Sequence, residues 1–192
     1  MFCKSVNRMK SLAILSVLAA LSAVRPSYGS HHFPDYPVRS ASEYPNKVAK
    51  AGIVVAVEPV DDEDQQKIYF NSRLSTKGIL AVFLVVENTS GTDTYLFDKS
   101  AAGLAEPVSG GSSVLPVGSG GLVDLTMVKQ LTDERENMMK REARSKALTP
   151  RSALHGFLYV PVPPKKQRGK VHLQIPLTNA GSGEIEMVNL VF

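Results

Sequence analysis

Ile79-Leu80-Ala81-Val82-Phe83-Leu84-Val85-Val86-Glu87 decides how this chain folds. Eight consecutive apolar residues, several of them β-branched, leave no polar position on either parity. An amphipathic helix would show a polar face, and a half-buried strand would alternate. A strand apolar on both faces must be covered on both, so residues 79–87 are expected at the centre of a packed sheet.

Shorter strand patterns flank it. Gly52–Glu58 (GIVVAVE) is apolar, β-branched and stopped by Pro59. Asp61-Asp62-Glu63-Asp64 follows and reads as an acidic, solvated turn. It lacks the spacing and the glycine of an EF-hand loop for Ca²⁺. After Asn88-Thr89-Ser90-Gly91, a turn, Thr94-Tyr95-Leu96-Phe97 opens another strand. Ser109–Gly121 (SGGSSVLPVGSGG) reads as a flexible loop with room for one short strand.

Three strands are expected near the C-terminus. His155–Pro161 (HGFLYVP) runs to Pro163-Pro164. Lys170–Ile175 (KVHLQI) alternates, with Val171, Leu173 and Ile175 inward. The tip between these two is Lys165-Lys166-Gln167-Arg168-Gly169. Glu184–Phe192 starts with Ile185 and Met187 inward, then changes parity at Val188, Leu190 and Phe192. That change predicts a bulge or a strand passing from one sheet to another.

One helix is expected, over about 132–148 (TDERENMMKREARSKAL), with acids in its first turn and Lys140, Arg141, Arg144 and Lys146 toward its end. Its apolar stripe, Leu131, Met139, Ala143 and Ala147, is narrow, which places it outside the sheets. About seven strands separated by turn signals predict a mainly β fold, an immunoglobulin-like two-sheet β-sandwich with one peripheral α-helix. The domain is expected over 48–192. Ser30–Asn46, with Pro34, Pro37 and Pro45, reads as the body of an extended tail over 30–47.

The first 29 residues read as a signal peptide. Lys4, Arg8 and Lys10 precede the apolar Leu12–Val24, and Ser27-Tyr28-Gly29 places small residues at −3 and −1. The apolar run is shorter than the roughly 20 residues of a comfortable membrane span. An extracytoplasmic, periplasmic or secreted location follows, with membrane contact only through an uncleaved signal. Four of the 22 basic residues, Lys4, Arg8, Lys10 and Arg25, belong to this leader, which leaves 18 against 18 acidic residues. That balance argues against a nucleic-acid partner. The single cysteine, Cys3, also lies in the leader, so a chain starting at Ser30 has neither disulfide nor thiolate chemistry.

The stretches Lys50–Phe70, Lys77–Gly91, Thr149–Pro161 and Val171–Leu177 resemble uncharacterised bacterial secreted proteins with an immunoglobulin-like sandwich. Asn88 in the polar turn, then Pro150, Ser152, Gly156, Phe157 and Tyr159, carry the likeness. Ala153 and Leu154 depart from its local spacing. The resemblance spans Lys50–Phe192 and implies fold and location, not catalytic residues.

No nucleophile elbow, H-E-x-x-H, P-loop or dinucleotide fingerprint occurs. Gly118-Ser119-Gly120 and Gly181-Ser182-Gly183 read as turns. His155 and His172 fall on strands that the pattern makes neighbours, where an acid–base or metal pair is conceivable chemistry. The expectation is a non-enzymatic binding or envelope-associated module without a cofactor, acting on an envelope or extracellular protein or surface. Its candidate surfaces are the 109–121 loop, the helix, and Lys165, Lys166 and Arg168. An alternative is a Cu(II)- or Ni(II)-handling protein. A mature start at Ser30-His31-His32 offers an amine, two backbone amides and an imidazole in a square plane. A hydrolase is third.

Overall fold

In the computed structural model, the described residues are 33–105, 121–129, 134–163 and 171–192. They carry nine strands: β1 Asn46–Lys50, β2 Ile53–Val60, β3 Ile79–Asn88, β4 Tyr95–Phe97, β5 Gly103–Leu104, β6 Lys146–Leu148, β7 Ala153–Pro161, β8 His172–Asn179 and β9 Ile185–Val191. Two α-helices accompany them, α1 Glu63–Phe70 and α2 Arg135–Arg141. Phe33–Phe192 is one compact unit.

The first sheet is antiparallel in the order β1-β2-β3-β7. In the second, also antiparallel, β9 runs along one edge of β8, β4 and β5 share the other edge, and β6 lies outside β4. The sheets face each other as a β-sandwich-like pair. Ile53, Val55, Val57, Leu80, Val82, Leu84 and Val86 of the first meet Tyr95, Phe97, Leu173, Ile175, Leu177, Val188 and Leu190 of the second in one core. At one side the edges close through an ion pair, Lys50 Nζ to Glu186 Oε2 at 2.8 Å.

The other face of the first sheet explains why β3 is apolar on both parities. Ile79, Ala81, Phe83 and Val85 pack with Phe157 and Tyr159 beneath a third layer. That layer contains Phe70 of α1, Met138 of α2, the 3₁₀ turns Ala41–Glu43, Leu74–Lys77 and Leu125–Met127, and the segment 33–40. The apolar run over 79–87 therefore works as expected, and what covers its second face is the helix layer.

Several local expectations are corrected. Asp61-Asp62-Glu63-Asp64 is not a free turn but the start of α1. Asp62 caps the helix, its Oδ1 accepting from Gln65 N–H at 2.8 Å, and Glu63 pairs with Arg73 at 3.2 Å. Acids suit a helix N-terminus for the same reason they suit a turn, so the local pattern did not separate the two. Pro59 does not stop β2, which runs to Val60. The expected helix over 132–148 is shorter. It ends at Arg141, Glu142 bridges Phe157, and Lys146–Leu148 is strand β6 against β4. Residues 130–133 lie outside the described set.

The parity change in the last strand is also absent. β9 pairs with β8 in unbroken register from Val191 opposite His172 to Ile185 opposite Thr178. Val188 and Leu190 are buried, whereas Ile185 and Met187 lie exposed on the outer face. Finally, the tail is structured from residue 33 onward. Tyr36 packs against the second core, Ala41 and Tyr44 are buried in it, and β1 begins at Asn46.

Buried polar groups join these layers. Gln66 donates to Val60 O at 2.7 Å and accepts from Ser75 N–H at 2.9 Å. Asn88 Nδ2 stands at 2.7 Å from Asp93 O, 3.0 Å from Leu148 O and 3.1 Å from Thr149 O, and its Oδ1 accepts from Ser90 N–H. Asn88 thus ties the end of β3 to the end of β6 in the opposite sheet. Asn88→Ala orphans buried backbone acceptors, and it is expected to cost about 1–3 kcal/mol in urea unfolding. An unchanged midpoint would show that these bonds add nothing to stability.

Candidate functional site

A cleft of about 670 Å³ opens where the 33–40 segment, the end of α2 and the start of β7 meet. Its inner wall is apolar: Val38 and Tyr36 from the segment, Phe83 from β3, Leu154 and Phe157 from β7. Its rim is charged: Lys140 and Arg141 end α2, Glu142, Arg144 and Lys146 follow, and His155 and Asp35 face in from β7 and the segment.

The segment is held from two sides. The Arg141 guanidinium donates to Phe33 O at 3.1 Å and to Pro34 O at 2.9 Å, and its Nε donates to Asn137 Oδ1 at 2.9 Å. Tyr36 slots its ring among Phe83, Phe157 and Tyr69, with centroids 4.6, 5.2 and 4.8 Å away. Its hydroxyl donates to Glu58 Oε2 at 3.0 Å, while Arg39 holds Glu58 Oε1 at 2.9 Å. Further along, Glu87 accepts from Ala41 N–H and Ser40 Oγ.

The opposite wall depends on a missing side chain. A Cβ on Gly156 would stand 2.7 Å from both the Cα and N of Ala143 and 3.1 Å from the Glu142 carbonyl carbon. Glycine there lets the chain after α2 lie directly on β7, where Ala143 N–H donates to Phe157 O at 2.9 Å. This contact and the Val123 N–H to Tyr159 O bond of 2.8 Å cap the outer edge of β7. It also carries Arg144, Ser145 and Lys146 to the cleft.

The charges divide clearly. Glu142 is neutralised by Lys99 at 2.6 Å, and Lys140 pairs with Glu136 at 2.7 Å on an exposed helix face. Arg144 and Lys146 have no ion-pair partner among the described residues. Ser145 donates to Asp98 Oδ1 at 3.1 Å and accepts from Lys99 N–H at 2.9 Å. Among the described residues, no three His, Cys, Asp or Glu side chains stand together as metal ligands.

Two tyrosines beneath and beside the cleft have raised phenols, Tyr36 in its lining and Tyr159 in the core under the helix layer. Burial, and then the nearby Glu58 carboxylate, push the Tyr36 phenol up. Burial, and then Glu142, do the same to Tyr159, whose hydroxyl donates to Met138 O at 3.0 Å. Above about pH 10 an unfolded chain ionises these phenols while the folded chain keeps them neutral. Their contribution to stability is therefore complete below that pH and is lost as pH rises beyond it. Absorbance at 295 nm should show Tyr36 and Tyr159 ionising only as the fold opens. Ionisation of both in the native protein near pH 10 would contradict their burial.

No protein-family model, curated protein or solved structure matches this chain.

Ser30, His31 and His32 lie outside the described residues, as do Lys165, Lys166 and Arg168 and positions 109–120 of the loop. His155 and His172 are not neighbours. The first is on β7 of one sheet and lines the cleft, and the second is on β8 of the other sheet and faces outward. The basic residues following α2 were visible in the sequence as a helix end. Their convergence with Tyr36 was not, because the 33–40 segment carries no periodicity. The clue was the apolar odd positions of β3, which required a cover.

A second surface is the outer face of the second sheet, where Leu96, Ile185, Met187 and Val191 are between 41% and 61% exposed. Leu96 and Ile185 both flank Thr178 in register.

Proposed function

We propose that this chain is an exported, non-enzymatic binding module of immunoglobulin-like type. It engages an envelope or extracellular partner through the cleft beside α2. The observation that carries the reading is the cleft itself, a concave site with an apolar wall and two cations left without partners at its rim. Strand order supports the immunoglobulin-like type. β2-β3-β7 correspond to strands A, B and E, β9-β8-β4 to G, F and C, and β6 adds beside C. The leader-like first 29 residues support export.

Fractionation of the producing cells with N-terminal sequencing tests this. The reading expects the protein outside the cytoplasm, beginning at Ser30. A cytoplasmic protein still beginning at Met1 would overturn it. The same sequence result bears on the Ser30-His31-His32 metal set, which exists only if the chain begins there.

A further inference from the structure

The make-up of the cleft names a ligand class, an inference that rests on the binding reading above. Its volume of about 670 Å³ falls within the roughly 300–1,000 Å³ of small-molecule sites. A purely polar anion would leave the accessible apolar wall of Val38 and Tyr36 unused. A purely apolar ligand would leave Arg144 and Lys146 facing it without partners. Burying apolar surface and pairing a desolvated anion with a guanidinium both favour association.

Of the two carboxylates lining the cleft, Glu142 is matched by Lys99 at 2.6 Å. Asp35 lies across the cleft on the 33–40 segment, so an anionic group is directed to the opposite wall. There, the Gly156 contact with Ala143 fixes the chain one residue before Arg144. Arg141, bound to the carbonyls of Phe33 and Pro34, adds a fixed positive charge nearby.

We infer that the cleft binds an amphipathic anion, a carboxylate or phosphate head carried on an apolar body. The head pairs with Arg144 and Lys146, and the body lies along Val38 and the ring of Tyr36, which covers the buried Phe83 and Phe157. The same chemistry is offered by a free alkyl anion and by an anionic lipid headgroup with its first methylenes.

Titration calorimetry of the exported protein with monomeric dodecyl phosphate tests this, with dodecyl maltoside as the neutral control. Expected is one-to-one binding of dodecyl phosphate that weakens about tenfold or more in R144E/K146E. It should also weaken with added salt, and dodecyl maltoside should bind poorly. R144Q/K146Q should lie between wild type and the charge reversal, with thermal melts unchanged because both side chains are exposed. Co-sedimentation with phosphatidylglycerol vesicles, against phosphatidylcholine, separates the sources. Retention by the first that is lost in R144E/K146E marks a lipid headgroup, and calorimetric binding without retention marks a free amphiphile.

Equal binding of both detergents, or equal binding by both variants and wild type, would overturn the inference. So would no binding of dodecyl phosphate at all. If dodecyl phosphate fails while an envelope component is still bound and R144E/K146E releases it, the ligand class falls and the binding reading stands. If both fail, the cleft is not the binding site.

Discussion

Phe157→Ala is expected to lower the unfolding free energy by about 3–5 kcal/mol, the cost of removing a large aromatic from a packed core. Phe157 is buried at the centre of an aromatic group. Its ring centroid lies 5.0 Å from Phe70, 5.0 Å from Phe83, 5.2 Å from Tyr36 and 6.2 Å from Tyr159. Edge-on, tilted and stacked ring pairs such as these contribute about 0.5–1.5 kcal/mol beyond their area. The residue joins α1, β3, β7 and the 33–40 segment, so its loss loosens the helix layer before the inter-sheet core. Phe157→Leu keeps most of the volume but forfeits the ring pairs, and should cost less than Phe157→Ala. Urea unfolding followed by circular dichroism checks both. Near-equal losses for Ala and Leu would mean that filling the volume does not rescue the site and that the ring contacts themselves carry the stability.

Gly156→Val should be almost as costly, for the opposite reason. Its Cβ has no room, and the atoms it meets are main chain rather than the end of a movable side chain. Overpacking typically costs about 1–3 kcal/mol, and here the Ala143 N–H to Phe157 O bond goes with it. We expect a loss of about 3 kcal/mol. The Ala143 amide should exchange rapidly with solvent while the amides of β8 and β9 stay protected. Because Arg144 and Lys146 hang on this contact, dodecyl phosphate binding should fall as well. A variant of wild-type stability with a protected Ala143 amide would refute the proposed close approach.

These two neighbours also show what could be read from the chain beforehand. The alternation at Val171, Leu173 and Ile175 reports burial against one partner, and the structure places all three inward. Ile79–Glu87 reports burial against two, and the structure supplies both. Patterns that depend on one element meeting another far along the chain were not legible. Gly156 looks like an ordinary interruption of a strand until Ala143, 13 residues earlier, is seen against it. Lys146–Leu148 consists of two good helix formers and a lysine, yet it pairs with Tyr95–Phe97, because tertiary pairing outweighs a propensity difference of a few tenths of a kcal/mol per residue. Ile185 and Met187 are expected inward because apolar residues usually are, but among the described residues no third layer covers the outer face of the second sheet. The cleft was hidden for the same reason as its Tyr36 wall. An aperiodic segment gives no sign of what it packs on, whereas an over-apolar strand shows only that something must.

The helix layer therefore does two things. It completes the burial of the first sheet, and at its margin, between the 33–40 segment and the chain after α2, it leaves a concavity that combines an apolar wall with cations that have no ion-pair partner among the described residues. The measurement that tests this most directly is amide chemical-shift mapping of the ¹⁵N-labelled protein titrated with an envelope extract from its own cells. The account predicts perturbations clustered at Tyr36, Val38, Arg144, Lys146, His155 and Gly156. Perturbations confined to Leu96, Ile185 and Met187 on the outer face, or none at all, would contradict it.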